Sequence, residues 1–362
     1  MIRIGDYIKS GFELFSSPQL TWGQRWTLVS YLFRTRLLGK PIIRSVEIMH
    51  TLRCNCRCAF CSNENLSEGD PVMQKEDVFG VIDKLAEHGV TAIIFLGGES
   101  MTDPHFVDYV RYTRKKNIVP LLQTNGTLLT KERIKDLSEA GLFSVTITIH
   151  DVIPEEHDAV VNRSGSLETI LNALPLLRQY NIKVVFKTLY SKDSVSSGAF
   201  GRILQLAREE GVLLNVNPMM PVGRGIGEEN LLSDDDRHHY LQATLSDSVI
   251  TTHTKTEYDH QCPAGHLYLG ILPDGEILPC YFLPLSVGNI RNTDILTAQR
   301  RAADLGIFRK GVDSCIVAMN EAFYREVILE LYSGKYALPI RIQETPSIKN
   351  LITGFTERHL KG

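Results

Sequence analysis

The sequence has no apolar run near the roughly 18 residues needed to cross a bilayer. Its opening stretch, MIRIGDYIKSGFELF, has neither an uninterrupted apolar core nor a small-residue cleavage site. A transmembrane span and a secretory signal are therefore not expected, and the expected location is the cytoplasm. An excess of one charge sign is missing too: 39 Lys and Arg against 42 Asp and Glu leave a formal net charge of −3. Nothing in that balance points to nucleic acid, and no acidic or basic tail stands out. Cysteine is sparse and odd in number, 7 in all, which argues against a disulfide framework and for thiols that meet metals or react. Low-complexity tracts are also absent. What is there, 362 residues at 43% hydrophobic and 22% charged, suits one large domain plus a smaller one.

From residue 46 to about 219 the pattern alternates strand and helix. VEIMHT (46–51), TAIIFL (91–96), IVPLLQ (118–123), SVTITI (144–149), KVVFKTLY (183–190) and LLNVNPM (213–219) read as strands. Between them, apolar residues at helical spacing mark five helices. Gly89, Gly141 and Gly211 stand where helices stop, and Asp103-Pro104 starts one. Six βα units of this size fit an incomplete β/α barrel or an open doubly wound sheet. In both, the chemistry sits at the carboxyl ends of the strands. A cysteine loop, GGE (97–99), TNG (124–126) and HD (150–151) each follow a strand directly.

The cysteine loop is TLRCNCRCAFC (51–61), with four thiols in eight positions. Four such thiols can hold zinc, but their spacing is tighter than that of paired CxxC knuckles. Cys54-x3-Cys58-x2-Cys61, with Phe60 before the last thiol, resembles the signature of radical S-adenosylmethionine (radical SAM) enzymes. LGGE (96–99) and QTNGTLL (123–129) resemble two further elements of that family, in the same order and at strand ends. The resemblance implies a partial (β/α)6 barrel of the TIM type over residues 46–230. It implies that Cys54, Cys58 and Cys61 bind three irons of a 4Fe–4S cube and leave the fourth iron open to S-adenosylmethionine. Phe60, Gly97, Gly98, Glu99, Thr124 and Asn125 are then expected at that cofactor, with the GGE backbone and carboxylate at the methionine amino group. Cys56 has no role in the family pattern and is expected to be a packed or free thiol.

The fourth strand departs from the pattern. Thr148 can still offer a hydroxyl to the ribose, but His150 stands where an acid is usual. The arginine expected four residues past His157-Asp158 is Val161, and Arg163, two further on, is the candidate for the methionine carboxylate. Asp193 occupies a position where many relatives have an Asn near the adenine.

QCPAGHLYLGILPDGEILPCYFLPLSVGNI (261–290) resembles the auxiliary-cluster region called SPASM, or its shorter relative, twitch. The resemblance lies in Cys262, the Pro273-Asp274-Gly275 turn, Pro279-Cys280 and Gly288-Asn289-Ile290. It implies a small domain over 255–320 in which Cys262, Cys280 and Cys315 hold a second 4Fe–4S cluster, with an open iron or a non-cysteine fourth ligand such as His266 or a substrate atom. Without a metal the same residues are a hairpin with packed thiols. Residues 321–362 are expected to be a helical tail, with a helix over Phe323, Val327 and Leu331 followed by a weakly patterned end.

Residues 1–45 are expected to be a helical segment. In residues 20–45 five basic residues meet no acid, and Trp22, Trp26, Val29, Phe33 and Leu37 share one helix face. Such a helix can lie on an anionic membrane or grip a partner. The expectation is that it packs across the bottom of the barrel with its arginines in water.

The family reading implies an enzyme that cleaves S-adenosylmethionine to a 5′-deoxyadenosyl radical and takes a hydrogen from a peptide or from a natural-product or cofactor precursor. It implies an external electron donor such as flavodoxin or ferredoxin. A lipid substrate is the alternative if the N-terminal helix meets a membrane. A zinc-bound structural protein and an electron-transfer iron–sulfur protein are the rivals from other classes. No residue is identified as a catalytic acid or base.

Overall fold

A computed structural model describes residues 17–64, 66, 71–243, 249–250, 262–308 and 315–360. Residues 1–16 of the expected N-terminal segment, 255–261 and 309–314 of the expected auxiliary domain and 361–362 of the expected tail lie outside them.

The alternating pattern folds as expected into a partial barrel. Its strands are β1 (Ser45–Met49), β2 (Ala92–Leu96), β3 (Val119–Thr124), β4 (Ser144–Thr148), β5 (Lys183–Tyr190) and β6 (Leu213–Pro218), each paired in parallel with the next. The helices between them cover the outside through stripes at helical spacing, such as Val78, Val81, Ile82 and Leu85 of the helix Lys75–His88. That helix and Lys131–Ala140 end at Gly89 and Gly141, both in the left-handed region with φ of 91° and 92°. There a Cβ would be strained, so glycine closes the helix and turns the chain into the next strand.

Three elements differ from expectation. Asp103-Pro104 does not open the helix: Asp103 Oδ1 accepts from the His105 amide at 2.8 Å, and the helix runs Phe106–Lys115. A helix over Pro154–Val161 sits between β4 and the helix Ser166–Gln179. The weakly patterned tail contains a full helix, Pro346–His359, that buries Ile348, Ile352 and Phe355.

The sheet also runs further than six strands. β7 (Val249–Ile250) adds to β6, and β8 (Tyr268–Ile271) adds in parallel to the other side of β1. β8 turns back through Asp274-Gly275 into β9 (Glu276–Leu278), which pairs with β11 (Gly288–Asn289). Ten strands thus form one sheet in the order β11-β9-β8-β1-β2-β3-β4-β5-β6-β7. β10 (Leu285–Ser286) and β12 (Ile340–Arg341) make a separate pair. One apolar core runs from Ile43 and Val46 through Ile271 and Cys280 to Phe355. The cysteine hairpin is therefore welded to the barrel by a hydrogen-bonded ladder.

The N-terminal helix Trp22–Leu32 does pack across the barrel bottom, but through the face opposite to the one expected. Leu20 and Leu28 pack on Val119 and Phe143 at the amino ends of β3 and β4, and Gln24 donates to the Ile118 carbonyl at 2.9 Å. Gln24 and Tyr31 are buried, whereas Trp22 is 81% and Trp26 72% exposed.

Candidate functional site

At the carboxyl ends of the strands lies a cavity of about 1080 Å³. Cys54, Cys58 and Cys61, together with Phe60, line one side of it. Gly97 and Gly98 after β2, Thr124 and Asn125 at β3 and Thr148 on β4 line the adjoining wall. These residues were picked out in separate stretches of sequence, and the parallel sheet brings their strand ends to one rim.

The loop of cysteines is held by its backbone. The Gly98 amide donates to the Thr51 carbonyl at 3.0 Å and the Glu99 amide to the Arg53 carbonyl at 2.8 Å. A Cβ on Gly98 would collide with the Arg53 carbonyl, and one on Gly97, at φ 137°, with that of Thr51. The two glycines are thus required by the close approach of the two loops. From the other side the Arg57 and Ala59 amides donate to the carbonyls of Val161 and Val160, each at 3.0 Å. Arg224, after β6, donates to the Cys58 carbonyl at 2.7 Å and pairs with Glu64 at 2.5 Å.

Glu99 does not face the cavity. Its side chain is fully buried, and burial raises the pKa of its carboxyl. One oxygen accepts from Thr124 Oγ1 at 2.7 Å and the Asn125 amide at 2.9 Å, the other from the Met101 amide at 3.1 Å. It locks the end of β2 to the end of β3. Arg163 lies outside the cavity wall and donates to the Asn55 carbonyl at 3.0 Å, bracing the cysteine loop. Asp193 is exposed in a short helix and does not line the cavity.

The thiols differ in acidity. Cys56 hydrogen-bonds to Cys54, and this brings Cys54 down to about 7, while the Cys56 thiol itself is pushed up. Burial, with the neighbouring Cys61 and Cys54 thiols, lifts Cys58 to about 12 against the pull of Arg224. Burial also raises Cys61. Among the described residues no three His, Cys, Asp or Glu side chains converge on a single metal ion. Thiols that each take a different iron of a cube need not converge in that way, so the donor set fits an iron–sulfur cluster, whose iron replaces the thiol protons.

Cys262, Cys280 and Cys315 come together beside β8 and β9, where Cys315 raises the pKa of both other thiols and Cys280 that of Cys262. Burial is the larger cause in all three and lifts Cys280 to about 12. Tyr268 donates its hydroxyl to Cys280 Sγ at 3.6 Å, and Cys315 Sγ lies 3.9 Å from Met220 Sδ. His266 has a buried Nε2 with no hydrogen-bond partner.

Besides His150, already singled out at the end of the fourth strand, the cavity is lined by residues to which the sequence reading gave no role. Lys187 on β5, buried, donates to Gln123 Oε1 at 3.0 Å and to the Tyr281 hydroxyl at 3.4 Å. Burial lowers its pKa, partly offset by the Glu47 carboxylate on β1. His150 stands edge-on to Phe60 with ring centres 5.0 Å apart, and burial holds its pKa down to about 3, so it is neutral. Met220, Tyr281 and Phe282 also line the cavity, and Tyr281 and Phe282 pack in one cluster with Leu52 and Leu66, which flank the cysteine loop. Within KVVFKTLY the only clue to Lys187 was a cation on the alternating face of a buried strand.

Strand ends, glycine cradle and two thiol sets define an iron–sulfur enzyme on a partial barrel. Residues 48–192 match the radical SAM superfamily and residues 262–316 match an iron–sulfur cluster-binding domain, together more than half of the chain. The chain belongs to the radical SAM superfamily, and its cofactors are a 4Fe–4S cluster, S-adenosylmethionine and an auxiliary iron–sulfur cluster. The second match opens at Cys262 and ends one residue past Cys315. The chain is similar to the AdoMet-dependent heme synthase of Methanosarcina barkeri, 26% identical over 67% of this chain and 77% of that one. It is also similar to the PqqA peptide cyclase of Gluconobacter oxydans, 24% identical over 68% and 71%. In fold it is similar to Streptococcus suis SuiB bound to its precursor peptide SuiA, with a TM-score of 0.59 at 13% identity over 82% and 71%. Membership in a family of radical enzymes sets aside the zinc-bound structural protein.

Proposed function

We propose that this enzyme reductively cleaves S-adenosylmethionine and abstracts a hydrogen atom from a peptide, or from a natural-product or cofactor precursor, seated between the two cysteine sets. The observation that carries this reading is the cavity itself. Its lining includes the loop of Cys54, Cys58 and Cys61 and also Tyr281 and Phe282, next to Cys280 in sequence, and Met220, whose Sδ lies 3.9 Å from Cys315 Sγ. A substrate in that space lies within reach of both sets. The peptide substrates named for two of the similar proteins support a peptide here, and the heme synthase supports a small molecule.

Cys54, Cys58 and Cys61 hold the first cluster, and Cys262, Cys280 and Cys315 the second, with His266 Nε2 as a candidate fourth donor. When bound, the first cluster supplies the electron, delivered by an external flavodoxin- or ferredoxin-type donor, that breaks the sulfonium bond of S-adenosylmethionine. The protein's own residues orient and exclude. Gly97, Gly98, Thr124 and Asn125 present backbone and side-chain polar groups to the methionine end, and Glu99 keeps them in place from behind. Phe60 and Thr148 flank the nucleoside side, and Arg163 acts through the loop it braces. Lys187 offers its ammonium to a carboxylate or carbonyl of the substrate, in a setting where burial makes such a contact strong.

The test is anaerobic reconstitution with iron and sulfide, followed by reductant and S-adenosylmethionine. The expected outcome is release of 5′-deoxyadenosine; a fully loaded protein that releases none overturns the reading.

A further inference from the structure

We propose that the outer face of the helix Trp22–Leu32, with the turn Phe33–Leu37 that follows it, is a docking surface for an anionic lipid bilayer. The helix is already anchored to the barrel through Leu20, Gln24 and Leu28, and its start is fixed by a capping box between Thr21 and Gln24. Burial of that inner face leaves the other one exposed among the described residues, and it is the more apolar of the two. Trp22, Trp26, Val29, Phe33 and Leu37 project from it, with Leu37 73% exposed. A folded protein seldom leaves two tryptophans, a phenylalanine and a leucine in one exposed stripe unless something covers them.

Charge selects the occupant. Residues 20–45 carry Arg25, Arg34, Arg36, Lys40 and Arg44 and no Asp or Glu, within a chain whose net charge is −3. The guanidinium of Arg25 lies 5.2 Å from the Trp22 ring centre, so cation and aromatic share one edge of the stripe. Aromatic rings flanked by cations match the boundary between acyl chains and anionic headgroups, where rings sink in and arginines stay at the phosphates.

The geometry also fixes orientation. The helix lies at the amino ends of β3 and β4, while the cavity opens at the carboxyl ends. A bilayer seated on this face is on the far side of the molecule from the cavity. The surface is a tether that holds the enzyme at a membrane, and a bilayer lipid does not enter the cavity from it.

Both tryptophans of the chain lie on this face, so intrinsic fluorescence reads it directly. The reconstituted full-length enzyme is mixed with vesicles of phosphatidylcholine alone or of phosphatidylcholine with phosphatidylglycerol, and sedimentation and emission are followed. Expected are co-sedimentation with the anionic vesicles, weakened by salt, and a blue shift of emission. Trp22→Ser with Trp26→Ser should weaken binding on the order of tenfold per ring removed, with 5′-deoxyadenosine release unchanged. Absence of binding to anionic vesicles by a protein that still releases 5′-deoxyadenosine overturns the tether alone. An emission already blue-shifted without vesicles, reddened by deletion of residues 1–16, assigns the face to the chain's own start and overturns it. A dimer that becomes monomeric in the double variant, with no vesicle binding, assigns it to a second copy and overturns it as well.

Discussion

Cys54, Cys58 and Cys61 lie on one short loop open to the cavity, whereas Cys262, Cys280 and Cys315 come from separate stretches and meet inside the core. In the first set a neighbouring thiol brings Cys54 down to about 7 while burial lifts Cys58 to about 12 and raises Cys61; in the second all three are lifted by burial, Cys280 to about 12. The first set is shaped by loop backbone, with glycines giving room and Arg224 holding two strands of it together. The second is shaped by apolar packing. The difference teaches that the support around the thiols, loop backbone in one and apolar packing in the other, separates the two sets more than thiol number does. A set that must leave a coordination position for a substrate stands in a cavity wall, and an auxiliary set can be closed in.

Removing each set in turn tests this most strongly. Cys54/Cys58/Cys61→Ala should leave about 4 iron per chain out of about 8 and abolish 5′-deoxyadenosine release. Cys262/Cys280/Cys315→Ala should lose a similar share of iron yet keep cleavage of S-adenosylmethionine. Iron analysis with a cleavage assay checks both, and equal loss of cleavage in the two variants would erase the comparison. Next in size, Gly98→Ala forces a methyl against the Arg53 carbonyl. It should displace the first loop and cut iron at that set several-fold, leaving the second set loaded; the spectra of the two single-set backgrounds resolve the loss.

A third test uses acid. His50 closes β1 just ahead of the first loop, stacked on Phe106, and burial, partly offset by Asp103, lowers its pKa to about 4. Below its ordinary value of 6.5 the unfolded chain takes a proton that the folded chain refuses until about pH 4. Stability should therefore fall as pH drops from 6.5 to 4, by about 1.4 kcal/mol per pH unit from this group, and change no further below 4. Denaturant midpoints across that window check it, and His50→Phe should flatten the slope. The smallest effect belongs to Cys56→Ala. Iron content should stay unchanged, with only the acidity of Cys54 in the cluster-free protein moving up; a loss of iron would make Cys56 a ligand.

The strands, the order of the motifs and the glycine stops at Gly89 and Gly141 were legible because each is a local pattern. The packing face of the N-terminal helix was misread because an apolar stripe looks the same whether it meets a core or is left outside it. Here Gln24, which a hydropathy reading puts in water, is the residue that binds the barrel. β7 and the pairing of β8 with β1 left no trace, since two to four residues are too few for a period and the partner is more than 200 positions away. Lys187 and Arg224 reach the site only through strand pairing that brings β3, β5 and the turn after β6 to one rim. The helix Pro346–His359 did have a pattern in Ile348, Ile352 and Phe355, and the polar residues between them obscured it.

The pairing of β1 with β8 has a further consequence. Ser45–Ile48 lie in register with Tyr268–Ile271 on one side and with Ala92–Phe95 on the other. If the two sets hold their clusters as proposed, the gap between the two is measured by a ladder of peptide groups. It acts as a ruler, not a tether. A hinge would let that gap breathe with temperature or with the load in the cavity. A ladder keeps it constant, so the rate of any electron hop across it is a fixed property of the fold, and only a slip of register could retune it.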